Sequence, residues 1–397
     1  MLNELKKFAK DIYIRVLIVV VIVVSIVVSI QCINNFYAMK SGKFNGVQGK
    51  AAISLIKERY ENSKGILTSD KLNEALKYYK SMPESDTAYT ETGIKYPGIL
   101  ELMENVYVSD YTKQDAIFRK LSNMNDFYNR NITLITKNLN DSKNTYEPWE
   151  KNIILEKAKA IDKPFIMDFS KQWVFVYQCF MVCFIIIAVS AIVVGARLFS
   201  YEKDNKIDIL SDSLGDKELR KIGRDKIKAL LIFLTSEVLV GVLIISIIMF
   251  SNTGISAWNS QIQIEYFTSI YHLTFVQGYL LIILTGWISI LAIGMFTAML
   301  NAFTQKFYTS LVLGFIITFI PMIVGRLNAF PALITKFFKM QPVNAVSIIG
   351  NLESLQVFNF LFTHTLTMPA IIINSTIILG ICIFISPGLF SSKIKNA

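Results

Sequence analysis

The stretch KQWVFVYQCFMVCFIIIAVSAIVVGAR, residues 171–197, decides how the rest of the chain is read. Between Lys171 and Arg197 lie 25 residues without a charge. A helix needs roughly 20 such residues to cross the hydrocarbon core of a bilayer. Trp173 and Tyr177 sit at one end of the block, the position that interfacial aromatics take. The segment therefore predicts a membrane-spanning helix.

Working outward, the same signature recurs. The chain has 397 residues, of which 53% are hydrophobic and 18% charged. Soluble domains run nearer a quarter charged. The excess apolar content collects in bilayer-length blocks. The first is Val16 to Ile33, preceded by Lys6, Lys7, Lys10 and Arg15. It is long and β-branched and lacks a small-residue cleavage site, so it reads as an uncleaved anchor and not as a signal peptide. Further blocks follow at about 229–250, 278–300, 307–325 and 368–384. Six spans are expected. Residues 326–367, half polar and broken by Pro331 and Pro342, read as an outer loop that partly dips into the membrane.

Residues 34–171 have a different character, with 21 Lys+Arg and 18 Asp+Glu, and are long enough for one domain. Their periodicity is helical. Leu72, Ala75, Leu76 and Tyr79 share one face after a Thr68-Ser69-Asp70 start. Ile117, Leu121, Met124 and Tyr128 predict a second face, and Ile153, Ile154 and Ala158 a third. The expected fold class is an all-α polytopic membrane protein with a mainly helical extracytoplasmic domain. It divides into a tail and first span (1–33), the domain (34–171) and a five-helix membrane unit (172–397) with a polar loop at 197–228.

Charge sets the expected orientation. If the N-terminus is inside, the inner segments hold sixteen Lys+Arg, whereas the two outer loops after span two hold Arg326, Lys336 and Lys339. Positive charge favours the cytoplasmic side, and long domains are exempt from the rule. Both termini are then cytoplasmic. A chain rich in Lys, Ile and Asn suggests a bacterial cytoplasmic membrane. The net charge of +10 is explained by residues flanking the spans, so nucleic acid is not an expected partner. Cys32, Cys179, Cys183 and Cys382 lie in or beside apolar blocks, which argues against a disulfide framework. With no His or carboxylate near Cys179 and Cys183, helix packing is favoured over metal binding.

No enzyme signature is present: no G-x-x-x-x-G-K-[ST] phosphate loop, H-E-x-x-H, CxxC or G-x-S-x-G. His272 and His364 fall in outer loops and read as solvated or backbone-bonded. Glu237 is the sharpest single residue. It lies eight residues past Ala229, roughly 12 Å into a span. An ionisable group there is a functional candidate by default. The bland alternative is a structural acid paired with a neighbouring helix's cation, such as Arg197.

The polar loop is the other informative feature. From Tyr201 to Lys226, Ile207, Leu210, Leu214 and Ile222 recur at helix-like spacings amid nine Lys+Arg and seven Asp+Glu across 197–228. That pattern predicts a short amphipathic helix along the inner face, either a lipid-facing linker or a docking surface for a cytoplasmic protein.

The arrangement resembles the permease subunits of type-2 ABC exporters. In the family's larger members a first span leads to a big extracytoplasmic domain and five more spans follow. The family's loop between spans two and three typically reads Glu-Lys-…-Leu-Leu-Ser-x-Pro-x-x-Arg-…-Lys. Here Glu202 and Lys203 are followed by Ile209-Leu210-Ser211, then Lys217-Glu218-Leu219, then Gly223 and Lys226. Ser213 replaces the usual proline, and the usual Gly after the Glu-Lys pair is missing. Pro342, before the last span, is also similar to the family's outer loop. The resemblance implies a coupling helix that seats in a separate cytoplasmic ATPase, with Glu202, Ile207, Leu210, Ser211, Leu214 and Glu218 as its coupling residues. It implies a second permease, identical or homologous, and ATP and Mg held by the partner ATPase, with no cofactor on this chain. The cargo would be a peptide such as a bacteriocin, or a lipid-like or drug-like amphiphile. Two other classes compete. A membrane-anchored sensor or scaffold would bind a ligand in its outer domain. An intramembrane enzyme would need paired ionisable residues, and Glu237 alone qualifies.

Overall fold

The computed structural model describes residues 2–41, 43–83, 86–141, 146–201, 214–325, 330–360 and 363–395. The chain is an all-α polytopic membrane protein. Among the described residues six helices are long and apolar enough to cross a bilayer: Ile12–Asn34, Lys171–Arg197, Asp216–Thr253, Phe275–Thr304, Phe307–Val324 and Thr367–Ile394. These are spans one to six, and each falls where an apolar block predicts it.

Span three differs in length. Its helix has 38 residues, about 57 Å at 1.5 Å per residue, against a hydrocarbon core of about 30 Å. Its first thirteen residues, 216–228, include nine charges and continue the span as one helix. This corrects the expectation of a separate amphipathic helix reaching Lys226: Ile222 belongs to the span-three helix. There is no proline over 216–253, and the two glycines, Gly223 and Gly241, do not break the helix, so nothing in that sequence ends it at the membrane boundary.

Spans two and four form the centre of the bundle, with spans one, three, five and six packed around them. Small residues permit the close approach. A Cβ on Gly195 of span two would sit 2.5 Å from the Gly294 carbonyl oxygen of span four. A Cβ on Gly294 would meet Leu234 of span three at 2.4 Å. A short N-terminal helix, Leu2–Lys10, lies against span three, with the Phe8 and Phe233 rings edge-on at 5.8 Å.

Between spans five and six the chain folds back into the bundle. A helix at Ala332–Lys339 leads to a 3-10 turn at Pro342–Val346, whose residues are all buried. The turn packs against spans two, four, five and six. The Asn374 side chain, seven residues into span six and so about 10 Å below its start, donates to the Met340 carbonyl at 3.1 Å. Non-helical backbone at such depth requires internal partners. Asn344 donates to the Phe338 carbonyl at 2.7 Å, and Asn351 to the Asn344 carbonyl at 2.8 Å. The expected membrane-dipping loop is therefore a packed re-entrant segment. It ends in a hairpin, Val357–Phe360 with Thr363–Leu366.

Residues 35–170 form the helical domain, with helices at Gly49–Tyr60, Ser69–Lys80, Asp86–Lys95, Ile99–Tyr107, Gln114–Lys120, Phe127–Leu139 and Pro148–Lys159. Thr68 caps the second of these by accepting from the Lys71 amide at 3.3 Å. Leu72, Ala75, Leu76 and Tyr79 are all buried on it, as their spacing predicts. Ile154 and Ala158 are buried likewise. The proposed face Ile117, Leu121, Met124, Tyr128 is a misreading. The helix stops at Lys120, and Ser122, Asn123, Asn125 and Asp126 make the bend before the next helix begins. Such residues offer their side chains to the local backbone: Asn123 accepts from the Asn125 amide at 3.1 Å, and Asn73 from the Met124 amide at 2.7 Å. A two-residue ladder, Gly65–Ile66 with Ile166–Met167, joins the early and late parts of the domain just before span two.

Candidate functional site

The predicted coupling residues divide into two groups. Glu202, Ile207, Leu210 and Ser211 lie outside the described residues. Leu214 and Glu218 are described. Leu214 is half-buried and packs against the core, and Glu218 is exposed in the first turn of the span-three helix. What the structure does define is how both ends of the 202–213 stretch are fastened.

Before it, span two ends at Arg197. The guanidinium Nε lies 3.4 Å from Asp11, the residue that caps span one by accepting from the Tyr13 amide at 3.0 Å. The guanidinium also lies over the rings of Tyr13 at 4.7 Å and Tyr201 at 5.7 Å. The next turn is held from span four. The Asn301 carboxamide oxygen accepts from the amides of Phe199 at 2.7 Å and Ser200 at 2.9 Å. Its nitrogen donates to the hydroxyls of Ser200 and Ser310, each at 3.2 Å. One side chain thus joins the exit of span two to spans four and five. Phe199 packs on Phe390 of span six at 5.0 Å.

After the stretch, the span-three helix is fastened in turn. Lys226 is almost fully buried. It donates to the Leu198 carbonyl at 3.1 Å and lies 3.5 Å from the Glu4 carboxylate. Asp216 accepts a hydrogen bond from Ser391 of span six. Gly223 sits so close to Pro387 that an added Cβ would lie 3.3 Å from its Cα. The residues on either side of 202–213 thus make contact with the N-terminal helix and with all six spans. Glu4, Asp11 and Asn301 were missed by sequence reading. Asp11, a cap residue just before the apolar run, and Asn301, a lone amide at the end of span four, were the available signals.

Glu237 is 4% exposed and sits in the middle of the bundle. Both carboxyl oxygens accept from Ser190 of span two at 2.9 Å. Among the described residues no ion-pair partner meets it, and the expected partner Arg197 is instead bound to Asp11. One turn further along span three, Gly241 lets Cys183 approach, and Cys183 lies 3.5 Å from the Ser25 hydroxyl of span one. Ser25, Cys183, Ser190 and Glu237 thus form a polar seam through the otherwise apolar contact of spans one, two and three. All four cysteines are free thiols, and no group of metal-ligating side chains occurs among the described residues. Replacing Glu237 by Gln keeps an oxygen for Ser190, so stability should change by less than about 1 kcal/mol. Replacing it by Lys places an ammonium in a site without a carboxylate and should remove most folded protein. Size-exclusion profiles of the detergent-extracted variants test this, and a monodisperse Lys variant contradicts it.

At the opposite end of the bundle, the domain is joined to the spans through an ionic cluster. Lys171 lies 2.5 Å from Glu101 of the domain and 3.2 Å from Glu265 in the loop between spans three and four. Ser170 donates to Glu265 at 2.5 Å. Burial pushes the Glu265 carboxyl up, and the adjacent Lys171 opposes that shift. Trp173 and Gln172 both donate to the Ser256 carbonyl, at 2.8 and 2.7 Å. Asn131 of the domain donates to the Phe267 carbonyl at 2.5 Å. On another side, Glu150 of the domain is paired with Lys336 of the re-entrant segment. Both histidines are exposed, as the solvated reading expects, and each also meets a side chain of the domain: His364 stacks on Trp149 at 5.2 Å, and His272 meets Asp162 at 2.6 Å.

No family model, no curated protein and no solved structure matches this chain.

Proposed function

We propose that the chain is the permease subunit of an ATP-driven ABC exporter in a bacterial cytoplasmic membrane. The observation that supports this reading is the fastening of the two segments that flank residues 202–213. The Asp11–Arg197 pair and Asn301 hold one end, and Lys226 and Asp216 hold the other. A loop tied in this way converts a push from a soluble partner into relative motion of the spans. The charge bias along the chain, sixteen Lys+Arg against three, supports a cytoplasmic loop and an outer domain. ATP and Mg belong to the partner ATPase, which acts on this chain and a second permease, identical or homologous. The cargo class is a peptide or a lipid-like or drug-like amphiphile.

The loop's apolar positions make the contact and its charges set orientation. Leu214 is already half-buried in the chain itself, so docking falls chiefly on Ile207 and Leu210. Changing Leu210 to Asp should abolish ATPase association and transport while leaving membrane insertion intact. Pull-down from detergent-solubilised membranes measures this, and unchanged association removes the coupling role from the loop.

A sensor whose outer domain binds a ligand is the second reading. The cavity described below, between the domain and the spans, favours it.

A further inference from the structure

A cavity of about 340 Å³ lies where the helical domain meets spans one and two. That volume falls at the lower end of small-molecule sites. Its lining reaches from Asn35, just after span one, to Lys171 and Phe175 at the start of span two. The cavity therefore sits at the membrane boundary on the domain side. Its walls are apolar and aromatic: Phe36, Ile56, Tyr60, Tyr89, Ile94 and Phe175.

The charged groups in the lining are Arg59, Glu101 and Lys171, and they are unequally engaged. Lys171 is occupied by Glu101 and Glu265. Tyr89 donates to Glu104 at 3.4 Å. Arg59 is different. Among the described residues its guanidinium makes one hydrogen bond, to the Met39 carbonyl at 2.7 Å, although it carries five N–H groups. Glu58 and Glu91 are near enough to influence it, but neither forms an ion pair with it among the described residues.

We propose that this cavity binds a single-chain anionic amphiphile, with its apolar chain among the aromatic walls and its acidic head on Arg59. A guanidinium with spare donors selects a carboxylate or phosphate head. The apolar walls at the bilayer boundary select a chain that partitions into the adjacent leaflet. The size of the cavity excludes a folded peptide. Because Lys171 lines the cavity and bridges domain to membrane unit, an occupant would also press on the joint between them. This site stands independently of the ATPase reading, since it needs neither nucleotide nor partner.

The test is equilibrium binding of radiolabelled dodecanoate to the full chain in phosphatidylcholine nanodiscs, with empty discs as background. The expected result is saturable binding at one site per chain. Arg59→Gln should weaken it about tenfold, and Arg59→Lys much less. Dodecanol should bind the wild type and Arg59→Gln alike. Ile94→Trp, which fills the cavity, should abolish binding of both ligands. If that variant misfolds, the Arg59 pair still decides. A monodisperse wild-type chain that shows no saturable dodecanoate binding overturns the proposal. So does an Arg59→Gln variant that binds dodecanoate as the wild type does.

Discussion

Replacing Asn301 by Leu should destabilise the membrane unit by about 2–6 kcal/mol. The side chain satisfies the buried amides of Phe199 and Ser200, and each donor left unpaired costs about 1–3 kcal/mol. Leu fills a similar volume, so the loss arises from hydrogen bonding and not from a cavity. Asn301→Asp separates the two roles of the carboxamide. It keeps an acceptor for both amides and loses the donor to Ser200 and Ser310, so it should recover much of the lost stability. Thermal unfolding in detergent measures the order wild type, Asp, Leu. A Leu variant as stable as the wild type would mean that the span-two exit is held by packing alone. On the proposed function, the Leu variant should also lose transport more than it loses ATPase association, because the contact surface survives while its anchor does not.

The second large effect is expected at the domain joint. Lys171→Met leaves Glu101 and Glu265 facing each other without their shared cation. The Glu265 side chain is 9% exposed, and removing one partner from a buried pair costs about 3–5 kcal/mol. Lys171 is partly exposed, which moves the expectation to the lower end. The double variant Lys171→Met, Glu265→Gln should be more stable than Lys171→Met alone, because the stranded carboxylate is gone. Limited proteolysis of the domain and thermal unfolding together read this joint. If the double variant is no better than the single, the cost came from lost packing of the lysine stem.

Some parts of this protein were legible in the sequence and some were not, for physical reasons. A span needs only length and hydrophobicity, so all six could be read directly, and the 25 uncharged residues after Lys171 were sufficient for span two. Helix continuity was harder. Charge marks where the bilayer ends, but a helix continues past it wherever propensity allows, as it does from Asp216 into span three. Within the domain, Leu72, Ala75, Leu76 and Tyr79 gave a true face because one capped helix carries all four. Ile117, Leu121, Met124 and Tyr128 keep the same spacing across a bend, since periodicity does not register an interruption shorter than its own window.

The candidate site was legible only as a location. The loop's position between spans two and three followed from topology. Its anchors did not, because Asp11–Arg197, Glu4–Lys226 and Asn301 with Phe199 join residues far apart in the chain. Glu237 shows the same limit. Its depth could be counted from Ala229, but its partner Ser190 lies 47 residues away, and the nearest obvious cation, Arg197, turned out to serve another acid.

Purification of the tagged full chain from its native membranes in a mild detergent tests the central claim most directly, with mass spectrometry of whatever remains bound. The account predicts a stoichiometric soluble subunit carrying a G-x-x-x-x-G-K-[ST] phosphate loop, retained by the wild type and lost from Leu210→Asp. A monodisperse, correctly inserted wild-type chain that carries no such ATPase would contradict it.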